Sequence, residues 1–406
     1  MFFEGIKKVC LGIWVWLQVN FLFYIINGIK SRERAEEIVK NLIVLLLIHI
    51  FFRNLQKIFV MKKILCAFAL SIAIFGIAIS LVSCQKQDKR YVLDGFVQGT
   101  YYHIVFYAQD TTSVKQDIQK IFQDIDMSLS LWVDSSTVNR VNRNEDVVLD
   151  DIFVENFVLA QQFSRLTEGM FDITIGELVK KYGFANKNRE KLSDKQVDSL
   201  LQYVGYKNVS LKDNKVVKKY AQTSLDFNAI AQGYTSDKVA KYLRQRGINS
   251  FVVDVGGEVM CGDKKPDSTK WVIGIERPNN SLSQNMAVSN QMGRATEQTI
   301  SLENESVVTS GNYRKFYVEN GVRYSHTINP KTGKPVTHSL LSASVIAKDA
   351  TTADALATAF MVMGLDETKR FLENHKQYAA YLIYSDRANQ MQIWMSENFR
   401  IYINNK

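Results

Sequence analysis

From Tyr91 to Ala108, "YVLDGFVQGTYYHIVFYA" alternates apolar and polar positions and is rich in aromatics, which predicts a strand pair or hairpin. The period then lengthens. Val114, Ile118, Ile121, Phe122 and Ile125 fall at helical spacing, and a second helix is expected over residues 151–166, ending before Glu168-Gly169. "LSDKQVDSLLQYVG" predicts a third helix, with Ser193 as N-cap and Gly205 as stop. "YTSDKVAKYLRQRG" predicts a fourth that closes at Gly247, and the alanine-rich "DATTADALATAF" at 349–360 a fifth. Strands are expected at "SFVVDV", "KWVIGIE", "QTISLE", "SVVTSG" and "SASVIA". A hairpin "KFYVENGVRYSHTI" should turn at Asn320-Gly321, and "YAAYLIYSD" with "MQIWMS" should close the chain as another. Residues 279–298, polar and without period, suggest a surface insertion. Helices and hairpins mix without strict alternation, so the fold class is α+β, with mixed, largely antiparallel sheets and packed helices.

Composition changes this picture only at the N-terminus. The chain of 406 residues has a net charge of +9, which suggests nucleic acid or membrane until the charges are located. Ten Lys/Arg against four Asp/Glu fall within residues 1–83, so +6 of the +9 sits there and nucleic-acid binding is set aside. From Met61 the chain has two lysines, an apolar run from Ile64 to Leu81, and then Leu81-Val82-Ser83-Cys84. These four resemble a bacterial lipoprotein signal, with Cys84 as the acylated residue. A transmembrane anchor is the alternative for an apolar run of this length. The reading divides the chain into an extension at 1–60, a signal peptide at 61–83, the lipidated Cys84 with a tether to residue 90, and one domain at 91–406. The extension is attributed to a start codon placed too early, with an additional membrane hairpin as the alternative. Only Cys261 remains in that domain, so it has neither an internal disulfide nor a C-x-x-C site.

Candidate chemistry gathers at several turns. "LDFNAIAQGYTSDKV" places Asp226 at the close of a short apolar strand, and small residues then lead into a helix, an arrangement that suits an anion. "FVVDVGGEV" ends in Gly256-Gly257, read as a tight turn, and "VVTSGNYRKF" adds Thr309 and Ser310 at another strand end. Hard-oxygen candidates for a cation are Asp226, Asp354, Thr351 and Thr358. Residues i and i+4 share a helix face, so Asp354 and Thr358 could share one ion; a solvated helix face accounts for the same spacing.

"GMFDITIG", "LDFNAIAQGYTSDKVAKYL", "VVDVGGEV", "VVTSGNYRKF", "RYSHTINPKTGKPV" and "ATTADALATAFMVMG" together make residues 91–403 resemble the ApbE family of FAD:protein FMN transferases. The resemblance implies a periplasm-facing, lipid-anchored membrane protein of a Gram-negative bacterium. It implies use of Mg²⁺ to move FMN from FAD to a Thr or Ser hydroxyl of a target protein, releasing AMP. The implied target is a membrane redox complex subunit. By the same resemblance Asp354, Thr358 and the Ala229 carbonyl would hold the metal. Gln98, Trp132, Met170, Phe171, Asp172, Asp226, Gln232 and Ile328 would contact FAD, and His326 would accept the proton. Thr351 has no counterpart role. The family's usual Met-Gly-Thr is Gln98-Gly99-Thr100 here, its usual Lys is Gln232, and its Phe-Asp-Pro-Thr is Phe171-Asp172-Ile173-Thr174. Alternatives are a Mg-dependent FAD pyrophosphatase and a flavin-binding lipoprotein without turnover.

If Cys84 carries the lipid, cells fed an alkyne-tagged fatty acid should label the wild-type protein, and Cys84→Ala should abolish the label. A membrane-bound wild type that takes up no label would instead point to an uncleaved apolar anchor.

Overall fold

The computed structural model describes residues 88–183, 192–278, 296–312, 316–319, 322–325 and 327–404, and eight single positions between Trp16 and Ser71. Two units separate at Lys86/Gln87. Those eight positions fall in the first unit, and the second carries the architecture described below.

The alternating stretch at the start of the second unit folds as a long hairpin, β1 (Lys89–Val97) and β2 (Thr100–Ala108). It opens an eight-stranded sheet with every neighbour antiparallel: β1-β2-β5-β6-β9-β12-β13-β14. The further members are β5 (Phe251–Val255), β6 (Glu258–Cys261), β9 (Ser306–Gly311), β12 (Leu340–Ala347), β13 (Ala379–Ser385) and β14 (Met391–Met395). Three two-stranded pairs complete the β-structure: β3 (Val209–Lys212) with β4 (Lys215–Lys218), β7 (Trp271–Glu276) with β8 (Thr296–Leu302), and β10 (Phe316–Glu319) with β11 (Val322–Ser325). The expected α+β class with antiparallel pairing is the observed one.

Both faces of the large sheet are covered, and period-2 alternation sorts the side chains between them. One face presents Ile104, Phe106, Val253, Val255, Val308, Val345 and Leu382 to helices. These are α1 (Val114–Leu129), α6 (Ala231–Gln245), α7 (Ala350–Met363) and α8 (Leu365–Asn374). The other face presents Val105, Val252, Val259, Val307, Ile346, Tyr381 and Ile383 to the β7–β8 pair and Phe399. Burial on two sides explains why "SVVTSG" and "SASVIA" read as apolar runs instead of clean alternations.

A second core lies beyond α7, among the C-terminal end of α1, α2 (Thr137–Asn142) and α3 (Asp151–Leu166). Phe171, Ile173, Leu225, Phe227 and Ile230 pack into it. α7 serves both cores: Ala353, Leu356, Ala357 and Phe360 face the sheet, and Ala355 and Ala359 face the second core. Its alanines therefore follow from burial on all sides, where small side chains permit close approach. The solvated-stripe reading fails, since Thr351 and Asp354 are buried.

Some expectations shift. The fourth helix starts at Ala231, three residues before Tyr234, so the small residues thought to precede it form its first turn. The strand expected before Asp226 reduces to a single parallel bridge, Ile175 to Ser224. The proposed insertion is shorter than 279–298 because β8 already begins at Thr296, and residues 279–295 lie outside the described set. Asn320 and Gly321 lie outside it too. The short helices α2, α4 (Gly176–Lys181) and α5 (Asp194–Leu201) carry few turns; only α5 was foreseen, from its Ser193 cap, and a capping box closes it with Gln196.

α6 and α7 meet at Gly233. A β-carbon there would lie 2.4 Å from the Ala350 carbonyl oxygen and 2.8 Å from Asp354 Cβ, both rigid parts of α7. Gly233→Ala should therefore destabilise the fold. Overpacking of about 1–3 kcal/mol offsets a helix-propensity gain of about 1 kcal/mol. A lower urea midpoint checks this; an unchanged midpoint would mean that the helices can part without cost.

Candidate active site

The first turn of α6 has an unusual hydrogen-bond pattern. Ala231 N donates to Phe227 O and Tyr234 N to Ile230 O, as a helix start requires. Gly233 N, which would ordinarily reach the Ala229 carbonyl, donates instead to Asp354 Oδ2 at 3.1 Å. Among the described residues no backbone amide bonds to Ala229 O outside regular elements. The result is a free carbonyl, a helix N-terminus and a carboxylate from a second helix at one place.

Asp354 is only 5% exposed, and Gly233 N is the hydrogen-bond donor found for it among the described residues. Burial pushes its carboxyl up to about 7, the Gly233 amide pulls the other way, and the neighbouring Asp237 charge raises it further. Asp226 is buried as well and pushed up to about 6, moderated by the Asn228 amide at 2.8 Å. Such carboxylates are held at a cost unless a cation or a proton neutralises them.

Thr358 lies one turn after Asp354 on α7, half-buried, with its hydroxyl 3.4 Å from Ser310 Oγ at the end of β9. Among the described residues no three His, Cys, Asp or Glu side chains cluster closely enough to hold an ion by themselves. Asp354, Thr358 and the Ala229 carbonyl offer one carboxylate and two neutral oxygens. This set fits a small hard cation that takes its remaining oxygens from substrate phosphate and water, the habit of Mg²⁺.

The other expected site residues are distributed around this point. Asp226 N donates to Ile173 O at 2.7 Å, so "FDIT" and "LDFN" run side by side. Asp172 spends its carboxylate inside the protein, on Thr174 N and Oγ1 at 2.8 and 2.6 Å and on Tyr206 N at 2.7 Å. Burial raises its carboxyl and those bonds oppose the rise. Phe171 packs edge-on against Phe163, and Met170 beside it is buried. Gln232 stands half-buried in the first turn of α6. Ile328 packs in a small separate core with Leu178, Tyr182 and Val197, and bridges Pro335.

Gln98 adopts a left-handed φ of 52° in the β1–β2 turn, and its side-chain amide bonds Thr235 Oγ1 on α6 at 2.9 Å and the Asp126 carboxylate on α1. Trp132 is 66% exposed on the loop after α1. That loop is fixed, because Asn139 Nδ2 donates to the carbonyls of Leu131 and Val133 at 3.0 and 2.9 Å. His326 and Cys84 lie outside the described residues.

Asp237 was missed. It sits on α6 one turn after Gly233 and accepts from Ala350 N and Thr351 N of α7, both at 2.8 Å. Thr351 Oγ1 donates to it too, which gives that hydroxyl its role. The available signal was the Gly233 to Asp237 spacing, which puts both on the stripe that meets α7.

The model of the ApbE family matches residues 98–382. The FAD:protein FMN transferase of Haemophilus influenzae is 32% identical over 343 residues, covering 80% of this chain and 93% of its own. That of Vibrio cholerae is 30% identical over 293 residues, covering 70% and 84%. Among solved structures, the flavin transferase ApbE from Vibrio cholerae aligns with a TM-score of 0.68 at 26% identity, over 78% of this chain and 99% of its own. The apo form of the Pseudomonas stutzeri flavinyl transferase ApbE gives 0.69 at 27% identity, over 78% and 97%.

Raised carboxyls make the metal-free protein sensitive to pH with a defined sign. Between the ordinary 3.8 and about 7, folded Asp354 keeps a proton that the unfolded chain releases, so stability falls as pH rises through that window. Asp226 and Asp237 act in the same direction up to about 6, and together they outweigh His338, which burial lowers and which opposes them below its ordinary 6.5. In EDTA the urea midpoint should be lower at pH 8 than at pH 5, and Asp354→Asn should flatten the difference. A midpoint that rises with pH in the wild type would contradict this assignment.

Proposed function

Since the chain belongs to the ApbE family, we propose that it is an FAD:protein FMN transferase that uses Mg²⁺ to join FMN to a Thr or Ser hydroxyl of a target protein and releases AMP. The observation that carries the reading is the diverted Gly233 amide. It leaves the Ala229 carbonyl without a donor among the described residues, beside the buried Asp354 carboxylate and at a helix N-terminus suited to a pyrophosphate. Relatives named as FAD:protein FMN transferases over most of their length supply the reaction class.

In the proposed step the acceptor hydroxyl oxygen bonds to the FMN phosphorus. The bond from that phosphorus to the anhydride oxygen breaks, and AMP departs with that oxygen. The hydroxyl proton passes to a base, for which His326 is proposed; such assistance contributes about 10²–10⁴-fold. Asp354, Thr358 and the Ala229 carbonyl would hold the ion. When bound, the ion would neutralise charge that grows on the phosphate oxygens of the leaving group. The positive end of α6 and its first-turn amides would orient the anhydride. Trp132, kept exposed on its fixed loop, would offer an apolar face to the flavin, and the segments at 171–173 and 226 would flank it. Gln98 would act on this site through its grip on α6. Of the expected contacts, Asp172 would support the site by fixing the backbone at Tyr206, and Ile328 by anchoring the turn after His326.

The same reading would put the enzyme at a membrane through a lipid on Cys84, facing the periplasm, where a subunit of a membrane redox complex would present the acceptor. The Leu-Val-Ser-Cys stretch supports the anchor.

Incubation with FAD, Mg²⁺ and a candidate acceptor domain should give a covalently fluorescent acceptor band after denaturing electrophoresis. Asp354→Ala should lower this labelling by at least about 10²-fold, by analogy with loss of a single electrostatic stabiliser, while circular dichroism stays unchanged. FMN and AMP formed without any labelled acceptor would instead identify a pyrophosphatase. Tight FAD binding without AMP release would identify a carrier.

A further inference from the structure

Two carboxylates join α6 to α7, and they point in opposite directions. Asp354 of α7 accepts from the Gly233 amide in the first turn of α6. Asp237 of α6 accepts from Ala350 N, Thr351 N and Thr351 Oγ1 in the first turn of α7. Each helix thus caps the other. α7 already has a cap from the residue next to it, since Asp349 accepts from Thr352 N at 2.7 Å. Asp237 therefore does more than satisfy a helix end: it ties that end to the particular helix whose N-terminus faces Asp354.

We propose that Asp237 is a positioning residue for the metal-binding carboxylate, one that sets where Asp354 stands relative to the Ala229 carbonyl. The proposal rests on the reading of Asp354 as a ligand. A slip of α7 by one residue would move Asp354 by about 1.5 Å along the axis. Metal–ligand distances tolerate about 0.2 Å. The Gly233–Ala350 contact limits approach of the two helices, but contact between a glycine and a carbonyl does not resist sliding. Besides the Gly233–Asp354 bond, it is the three directional bonds to Asp237 that select one register of α7 against α6.

The test measures Mn²⁺ affinity of the full-length chain in detergent with FAD present, from the electron paramagnetic resonance signal of free Mn²⁺. FAD affinity without metal, from flavin fluorescence, and the melting temperature are followed in parallel. Asp237→Ala should weaken Mn²⁺ binding by about 10–100-fold, the range for residues that orient metal ligands, and Asp237→Asn less, because it keeps one acceptor oxygen. FAD affinity without metal should stay close to that of the wild type. Thr351→Val, which removes one of the three bonds, should give a smaller loss and serves if Asp237→Ala does not fold. Asp349→Ala should lower the melting temperature but keep Mn²⁺ affinity, since it uncaps α7 without freeing it from α6. Folded Asp237 variants with wild-type Mn²⁺ affinity, or an equal loss in Asp349→Ala, would overturn the proposal and leave Asp237 a structural cap. A wild-type protein that binds no Mn²⁺ would overturn the ligand reading, and this proposal with it.

Discussion

The reciprocal capping of α6 and α7 is the interaction on which the arrangement of the candidate site depends. A helix N-terminus carries unsatisfied amides and a partial positive charge. Here each of two helices meets that need with a carboxylate from the other, Asp237 in one direction and Asp354 in the opposite one. Two N-termini and two acids are thereby collected within a few ångströms. The amides offset the cost of burying the acids only in part, which is why both carboxyls remain raised. The arrangement favours a ligand that brings a cation and an anion together, as a metal–pyrophosphate does.

Such a contact requires support from both sides, and the architecture provides it. α7 lies between the large antiparallel sheet and the second core, buried almost throughout, so it cannot tilt toward either. α6 is held from outside by Gln98 in the β1–β2 turn and by Ser236, whose hydroxyl donates to Glu258 O on β6. The side-by-side segments 171–176 and 224–226 then bring the rest of the candidate site to the start of α6. Alanine and glycine at the crossing are a condition for this geometry, because any larger side chain at Gly233 would meet backbone.

Much of the fold was legible along the chain. Long elements announced themselves by period, as in α1, α3 and the β1–β2 hairpin, where each turn repeats the same burial. One-turn helices such as α2 and α4 did not, because a single turn holds too few positions to define a period. The strand expected at Leu225-Asp226 failed for a related reason: its apolar residues are buried by packing into the second core, not by a ladder. Asn142 holds that segment instead, through both its amide and its carbonyl oxygen to Leu225.

For the site, local order along the chain determined the identity of the parts. Asp354 and Thr358 share a face because the helix repeats every 3.6 residues, and the small residues after Asp226 were marked for close approach by their size. Which of these parts meet was decided only in three dimensions. Asp237 and Thr351 are 114 positions apart, and Gly233 and Asp354 121 apart. No periodicity carries information over such a separation. Their pairing depends on how two helices cross, and that crossing is set by the cores on either side of α7.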